Sequence, residues 1–202
     1  MSDDNNNVET EVKLWVDDLA VVAEVLQLHG AVLSAPRVLE RNIRYELPNG
    51  SLGKRGMVLR LRQDSRVRLT YKEGGKATDG VISRFEAEVE VSDFKTMDNI
   101  LVLLGYLHDM SYEKYRTTYE IDDCEVVLDE LPFGKFVEIE GDHDAILRLI
   151  DRLGMTDTMR VQMSYVRAFD VIRKKMGLLF GDATFENFGK IYVPDTVKDW
   201  LR

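Results

Sequence analysis

An acidic doublet on a strand-like segment, followed by a capped helical segment, recurs three times along the chain and constrains the fold more than any other feature. Glu9-Thr10-Glu11-Val12-Lys13 precedes a helical pattern closed by Gly30, Glu86-Ala87-Glu88-Val89-Glu90 one closed by Gly105, and Glu138-Ile139-Glu140 one closed by Gly154. Residues two apart on a strand share a face, so each doublet aims its carboxylates at one place. Carboxylates gathered this way repel one another unless a cation sits between them, and oxygen ligands in that pattern suit Mg²⁺ or Mn²⁺.

The segments between the doublets read as strands and helices in alternation. Val8 to Val16 alternates apolar and charged residues, and Asp17 or Asp18 can cap the helix that follows. Residues 38–47 read as a strand ending in the turn Pro48-Asn49-Gly50, and Met57 to Gln63 and Arg66 to Lys72 as a hairpin joined through Asp64-Ser65. Glu73 to Gly80 is polar and glycine-rich and is expected to be a flexible loop. Val81 to Val91 is a further strand, and Ser92 or Asp93 caps a helix running to Gly105. Strands are expected at Met110 to Ile121, Glu125 to Leu131 and Phe136 to Glu140, then a helix capped by Asp142 and a long helix from Ser164 to Met176. The polar stretch 1–7 reads as a tail, 8–176 as one domain, and the aromatic-rich 177–202 as an extension packed on it. The pattern describes a single α+β domain rich in antiparallel strands.

Composition excludes several classes. A net charge of −9 over 202 residues argues against broad attraction to nucleic acid or an anionic membrane, while leaving a local basic cluster free to grip a small anion. Cys124 is the single cysteine, so no intramolecular disulfide and no cysteine-based zinc cluster can form. It reads as a small hydrophobe on a strand. No run of apolar residues is long enough to cross a bilayer, and a soluble, cytoplasmic protein is expected. His29, His108 and His143 share no spacing suited to a metal pair or dyad.

The faces opposite the apolar ones carry Glu9, Glu11 and Lys13; Arg60 and Arg62; Arg84, Glu86, Glu88 and Glu90; Lys114 and Arg116; and Glu138 and Glu140. Charged alternation of this kind also describes an ordinary solvent face of an antiparallel sheet. An exposed sheet, however, mixes in Thr, Ser and Gln where this one repeats Glu and Arg. If the strands curl into a barrel, the charged faces meet in a lumen and helices cover the apolar faces. Arg and Lys there would hold the non-bridging oxygens of a polyphosphate, and the carboxylates would hold divalent ions bridging phosphate to protein.

Glu9-x-Glu11-x-Lys13, Leu59-Arg60-Leu61-Arg62, Leu69-Thr70-Tyr71-Lys72, Arg84-x-Glu86-x-Glu88, Glu113-Lys114-x-Arg116, Leu128-Asp129 and Gly134-x-Phe136-Val137-Glu138-Ile139-Glu140 occur in this order. Together they resemble the CYTH, or triphosphate tunnel metalloenzyme, superfamily from about residue 8 to 170. The resemblance implies an eight-stranded antiparallel barrel, a tunnel with a charged lumen and helices outside. It implies metal ligation by Glu9, Glu11, Glu138 and Glu140, and triphosphate binding by Lys13, Arg60, Arg62, Lys72, Lys114 and Arg116, and Arg84 on the same lumen face is expected to bind substrate with them. Glu86, Glu88 and Asp129 match tunnel acids of variable duty. Arg41-Asn42-Ile43-Arg44-Tyr45-Glu46 departs from the pattern, standing where many members carry an aromatic pair ahead of an aspartate.

The resemblance further implies a Mg²⁺- or Mn²⁺-dependent triphosphatase, with Glu9, Lys13 and Glu138 closest to the chemistry. One metal would bridge Glu11, Glu138, Glu140 and the phosphate, and a second near Glu9 would activate water. The alternatives are a class IV adenylyl cyclase making cyclic AMP and pyrophosphate, and a sensor that binds without turnover. A small-molecule triphosphate is the expected partner, and relatives of this kind resemble homodimers.

Overall fold

The computed structural model describes residues 7–202; apart from Asn7, the expected polar tail lies outside them. Eight antiparallel strands close into a barrel in the order β1-β5-β4-β3-β2-β6-β7-β8. They are β1 (Val8–Val16), β2 (Val32–Glu46), β3 (Val58–Gln63), β4 (Val67–Thr78), β5 (Val81–Glu90), β6 (Leu107–Ile121), β7 (Cys124–Leu131) and β8 (Gly134–Glu140). Closure runs through β1, which pairs Glu9 with Arg84 of β5 and Lys13 with Glu138 of β8. Beyond the β4–β5 turn, the free edge of β1 is covered by residues 159–161, where Trp15 N donates to Met159 O and Val161 N to Lys13 O.

Strand periodicity turns this barrel inside out. Glu9, Glu11 and Lys13 of β1 face the lumen, while Val12 and Leu14 join Val137, Ile139, Val126 and Leu128 outside it in one apolar cluster. Two helices complete that cluster, α1 (Leu19–Leu28) through Val22 and Leu26 and α4 (His143–Arg152) through Ile146, Leu149 and Ile150. Asp18 starts α1 by accepting from Ala20 N, and Asp93 starts α3 (Phe94–Leu103) by accepting from Thr96 N. Leu101 of α3 packs with Tyr45 and Leu61. A short helix α2 (Ser51–Lys54) follows the Pro48-Asn49-Gly50 turn.

The long helix α5 (Tyr165–Met176) packs where β8 begins and β7 ends. Tyr165, Ala168, Phe169 and Ile172 meet Met110, Tyr112, Leu131 and Phe136 there. Beyond it come α6 (Phe185–Phe188) and a 3₁₀ turn at Asp195–Trp200, whose Phe188, Val197 and Leu201 are buried in the same cluster. No helix among the described residues is long and apolar enough to cross a membrane.

Three expectations change. Glu73 to Gly80 is not a flexible loop: β4 continues to Thr78, and Asp79 and Gly80, at φ 53° and 78°, form the tight turn into β5. The glycines mark a bulge instead, since the register shifts between Glu73 and Lys76, and Lys76, Ala77 and Thr78 then pair with Ser83, Ile82 and Val81. β2 starts at Val32 rather than 38, its register against β6 shifting around Pro36, which has no N–H for the ladder. β6 likewise begins at Leu107, because its first residues pair with the end of β2.

Candidate active site in the barrel lumen

The inward faces converge on one cavity of about 1110 Å³. Of the residues singled out in the sequence, Glu9, Glu11, Lys13, Arg60, Arg62, Lys72, Arg84, Glu86, Glu88, Lys114, Arg116, Glu138 and Glu140 all line it. Asp129 is fully buried behind the wall.

Most of these charges neutralise one another. Lys13 Nζ lies 2.9 Å from Glu138 Oε1, and Arg116 Nη2 donates to Glu138 Oε2 at 2.6 Å. Burial alone would favour the neutral amine of Lys13, but Glu138 and Glu11 outweigh it and hold the ammonium above its ordinary value. Burial likewise works against the Glu138 carboxylate, yet Lys13, Lys114 and Arg116 hold it well below the usual range. Asp129 accepts from Lys114 at 2.8 Å, from Arg116 at 2.8 and 2.6 Å, and from Tyr165 Oη at 2.9 Å. Arg62 Nη2 donates to Glu88 at 3.2 Å, and Thr70 Oγ1 to the same carboxylate at 2.7 Å.

Around Glu9 the arrangement is tighter. Lys72 Nζ donates to Glu9 at 2.6 Å and also contacts Glu86, while Arg84 donates to Glu9 at 3.1 Å and to Glu11 at 3.0 Å. Burial opposes ionisation of Glu9, but a hydrogen bond shared with Glu86 and the cations Lys72 and Arg84 overcome it and hold the carboxyl down to about 2. Glu86 takes the opposite share: burial and the Glu9 carboxylate push it up to about 7.

Two groups of charge stand outside this network. Glu140 forms no ion pair with any described residue, although one oxygen from each of Glu9, Glu11 and Glu140 lies within 4.8 Å of the others. Burial, then Glu138 and Glu9, push its carboxyl up to about 8. Three convergent carboxylates, one lacking any protein cation, are a donor set for a hard divalent ion. The second group is cationic. Arg60 meets no carboxylate among the described residues and donates only to Tyr112 Oη at 3.3 Å and Thr70 Oγ1 at 3.4 Å. Arg44, beside it, forms no ion pair with a described residue.

Of the four carboxylates expected to ligate metal, the structure gathers Glu9, Glu11 and Glu140, while both Glu138 oxygens face bases. Sequence reasoning missed Glu40 and Tyr165. Glu40 is fully buried, accepts from Asn42 at 3.0 Å and from Arg62 at 3.4 Å, and lies 3.5 Å from Lys114. Lys114, Arg116 and Arg62 hold it far below the usual carboxylate value against the pull of burial. Its signal was the period-two set Val38, Glu40, Asn42 and Arg44 on β2. Tyr165 places its ring 4.6 Å from Lys13 Nζ and 5.1 Å from Lys114 Nζ, a contact between helix and strands that no local pattern announces.

A family model described as the CYTH domain matches residues 7–151. No curated protein matches the chain. Among solved structures, a Vibrio parahaemolyticus protein provisionally designated an adenylate cyclase aligns with a TM-score of 0.67 at 18% identity, over 81% of this chain and 98% of its own. PH1819 of Pyrococcus horikoshii OT3 aligns with a TM-score of 0.64 at 25% identity, over 80% of this chain and 97% of its own. A Hippeastrum protein, provisionally designated an adenylyl cyclase and described as having a dominant triphosphatase activity, aligns with a TM-score of 0.59 at 18% identity, over 85% and 97%.

Proposed function

Because the chain belongs to the CYTH domain family, with the family model covering residues 7–151, we propose that it is a divalent-metal-dependent enzyme that hydrolyses a triphosphate inside the barrel. The observation that carries the reading is the coexistence, in one cavity, of a carboxylate cluster with an unneutralised Glu140 and of bases that converge on the same space. The triphosphatase activity attributed to the Hippeastrum protein supports it.

Glu9, Glu11 and Glu140 would hold Mg²⁺ or Mn²⁺, which when bound offsets phosphate charge and acidifies water. Lys13, Arg62, Lys72, Arg84, Lys114 and Arg116 would exchange carboxylate partners for phosphate oxygens, and Arg60 would take one without giving up an ion pair. An oxygen that displaces Lys13 and Arg116 from Glu138 leaves that carboxylate free to accept a proton from water or to join the cluster. The bases then neutralise charge building on the leaving phosphate.

Product analysis tests the reading. The purified chain is incubated with tripolyphosphate, ATP and thiamine triphosphate, each with Mg²⁺ and then Mn²⁺. Orthophosphate release is expected. Cyclic AMP with pyrophosphate from ATP would instead make it a cyclase, and tight binding with no product a sensor.

A further inference from the structure

We propose that Arg44 and Arg60 form an anion subsite in the lumen, separate from the carboxylate cluster, that takes one phosphoryl group of a linear oligophosphate. Arg44 lies on the inward face of β2 with Glu40 and Asn42, and it lines the cavity. It stands directly opposite Arg60 in the β2–β3 register. Like charges directly opposed across a strand pair destabilise a sheet, so this placement works against folding in the free protein.

No carboxylate among the described residues lies within 4.0 Å of either guanidinium, and Glu40 and Glu86 act on Arg60 only from farther off. Arg44 Nε and Arg60 Nε are both buried and meet no acceptor among the described residues. Every other inward base of the expected set is matched by a carboxylate within 4.0 Å, as in Lys13 with Glu138 or Arg84 with Glu11. Two arginines at facing positions of neighbouring strands, both lining the cavity, can offer donors to the oxygens of one phosphoryl group, which would cancel the repulsion between them. The β6 partner strand carries an extra residue, Asp109, here, since Arg44 pairs with Met110 and Tyr45 with His108. Bulges of this kind re-aim side chains beside sites.

The lining also says what chemistry suits the subsite. Tyr112 and Tyr165 are the aromatic residues of the cavity wall, and their hydroxyls are engaged with Arg60 and Asp129. A phosphoryl group rather than a nucleobase therefore matches the donors around Arg44.

The assignment rests on the triphosphate reading, and the test separates the two. Wild type, Arg44→Gln, Arg44→Lys and Arg60→Gln chains are titrated calorimetrically with tripolyphosphate in Mg²⁺, and their ligand-free thermal melts are recorded. Arg44→Gln should weaken tripolyphosphate binding at least about tenfold, as expected for the loss of one charged donor pair. Its ligand-free melting temperature should hold or rise, and Arg44→Lys should recover part of the affinity. Unchanged affinity in Arg44→Gln, or a loss of affinity accompanied by a lower ligand-free melting temperature, overturns the subsite. If wild type binds tripolyphosphate without turnover, the enzymatic reading fails while the same comparison still decides the subsite. If wild type binds none, the melting shift caused by orthophosphate decides it: dependence on Arg44 supports the subsite and independence overturns it.

Discussion

Glu138 and Glu140 project from the same face of β8, two residues apart, into different electrostatic surroundings: Glu138 is clasped by Lys13 and Arg116, and Glu140, which forms no ion pair with a described residue, is dominated by burial and by Glu138 and Glu9. The two isosteric substitutions should therefore separate. Glu138→Gln breaks the ion pairs to Lys13 and Arg116; Arg116 keeps Asp129, but buried Lys13 loses its one ion pair among the described residues, so the variant should lose activity and about 3–5 kcal/mol of stability. Glu140→Gln replaces a carboxyl whose ionisation its surroundings already oppose, so it should lose metal-dependent activity while the metal-free protein melts at the same or a higher temperature. Parallel melts in EDTA with activity assays check both; a destabilised Glu140→Gln would sink the account of the cluster.

Acidity supplies a second test. Glu140 is raised from 4.5 to about 8 and Glu86 from 4.5 to about 7. Between the unfolded and folded values the native state keeps protons that the unfolded chain has lost, so metal-free stability should fall as pH rises from about 4.5 to about 8 and then level. The depressed Glu9, at about 2, acts in the opposite sense, its contribution being lost only as pH falls below the ordinary value of 4.5. A divalent ion binds the ionised carboxylates, so the stabilisation by Mn²⁺ should grow over the same window. Melts across that range with EDTA and with Mn²⁺ measure it, and a metal-free stability that climbs towards pH 8 contradicts it.

Asp129 anchors the network from behind the cavity wall. It is fully buried and gathers Lys114, Arg116 and Tyr165 on one carboxylate. Asp129→Asn should cost about 3–5 kcal/mol, because two buried cations lose their shared counter-charge. Urea unfolding reads this directly. A loss below about 1 kcal/mol, the range of exposed ion pairs, would show that Glu138 and Glu40 suffice to compensate these cations.

Much of this architecture was legible because strand periodicity separates the two faces on β1 and β8, where charged residues at 9, 11, 13, 138 and 140 alternate with uncharged ones at 10, 12, 14, 137 and 139. On β2 the same logic was obscured. Arg41 faces outward and pairs with Glu113, while its neighbours Glu40 and Asn42 face inward, so both faces carry polar residues. The Gly74-Gly75 pair reads as a loop by composition, yet pairing with β5 turns it into a bulge within a hairpin. The neutralisation pattern, with Glu140 and Arg60 left over, depends on side-chain distances between strands remote in sequence, which no spacing rule contains.

Gly134 tests how closely the wall is packed where β8 begins. A Cβ there would collide with the Trp15 ring, which stacks edge-on against Phe136 with centroids 4.9 Å apart. Gly134→Ala should therefore cost about 1–3 kcal/mol through overpacking, although the backbone needs no positive φ at this position. Pairing the substitution with Trp15→Phe should restore part of the loss, and a double-mutant cycle showing no coupling would place the strain elsewhere.

Tyr165 gives the last test, because it links α5 to the lumen by two separable contacts. Its hydroxyl donates to Asp129 at 2.9 Å, and its ring faces Lys13 Nζ at 4.6 Å. Tyr165→Phe removes the hydrogen bond alone, worth about 1 kcal/mol, from a carboxylate that keeps Lys114 and Arg116. Tyr165→Leu also removes the ring from a desolvated ammonium, a further loss of up to about 2 kcal/mol. If Tyr165 positions Lys13, kcat should fall more in the Leu variant than in the Phe variant, by about tenfold for each 1.4 kcal/mol withdrawn from the transition state. Equal falls in both variants would mean that the hydroxyl, acting through Asp129, does the positioning and that the ring serves only to fill the end of the barrel.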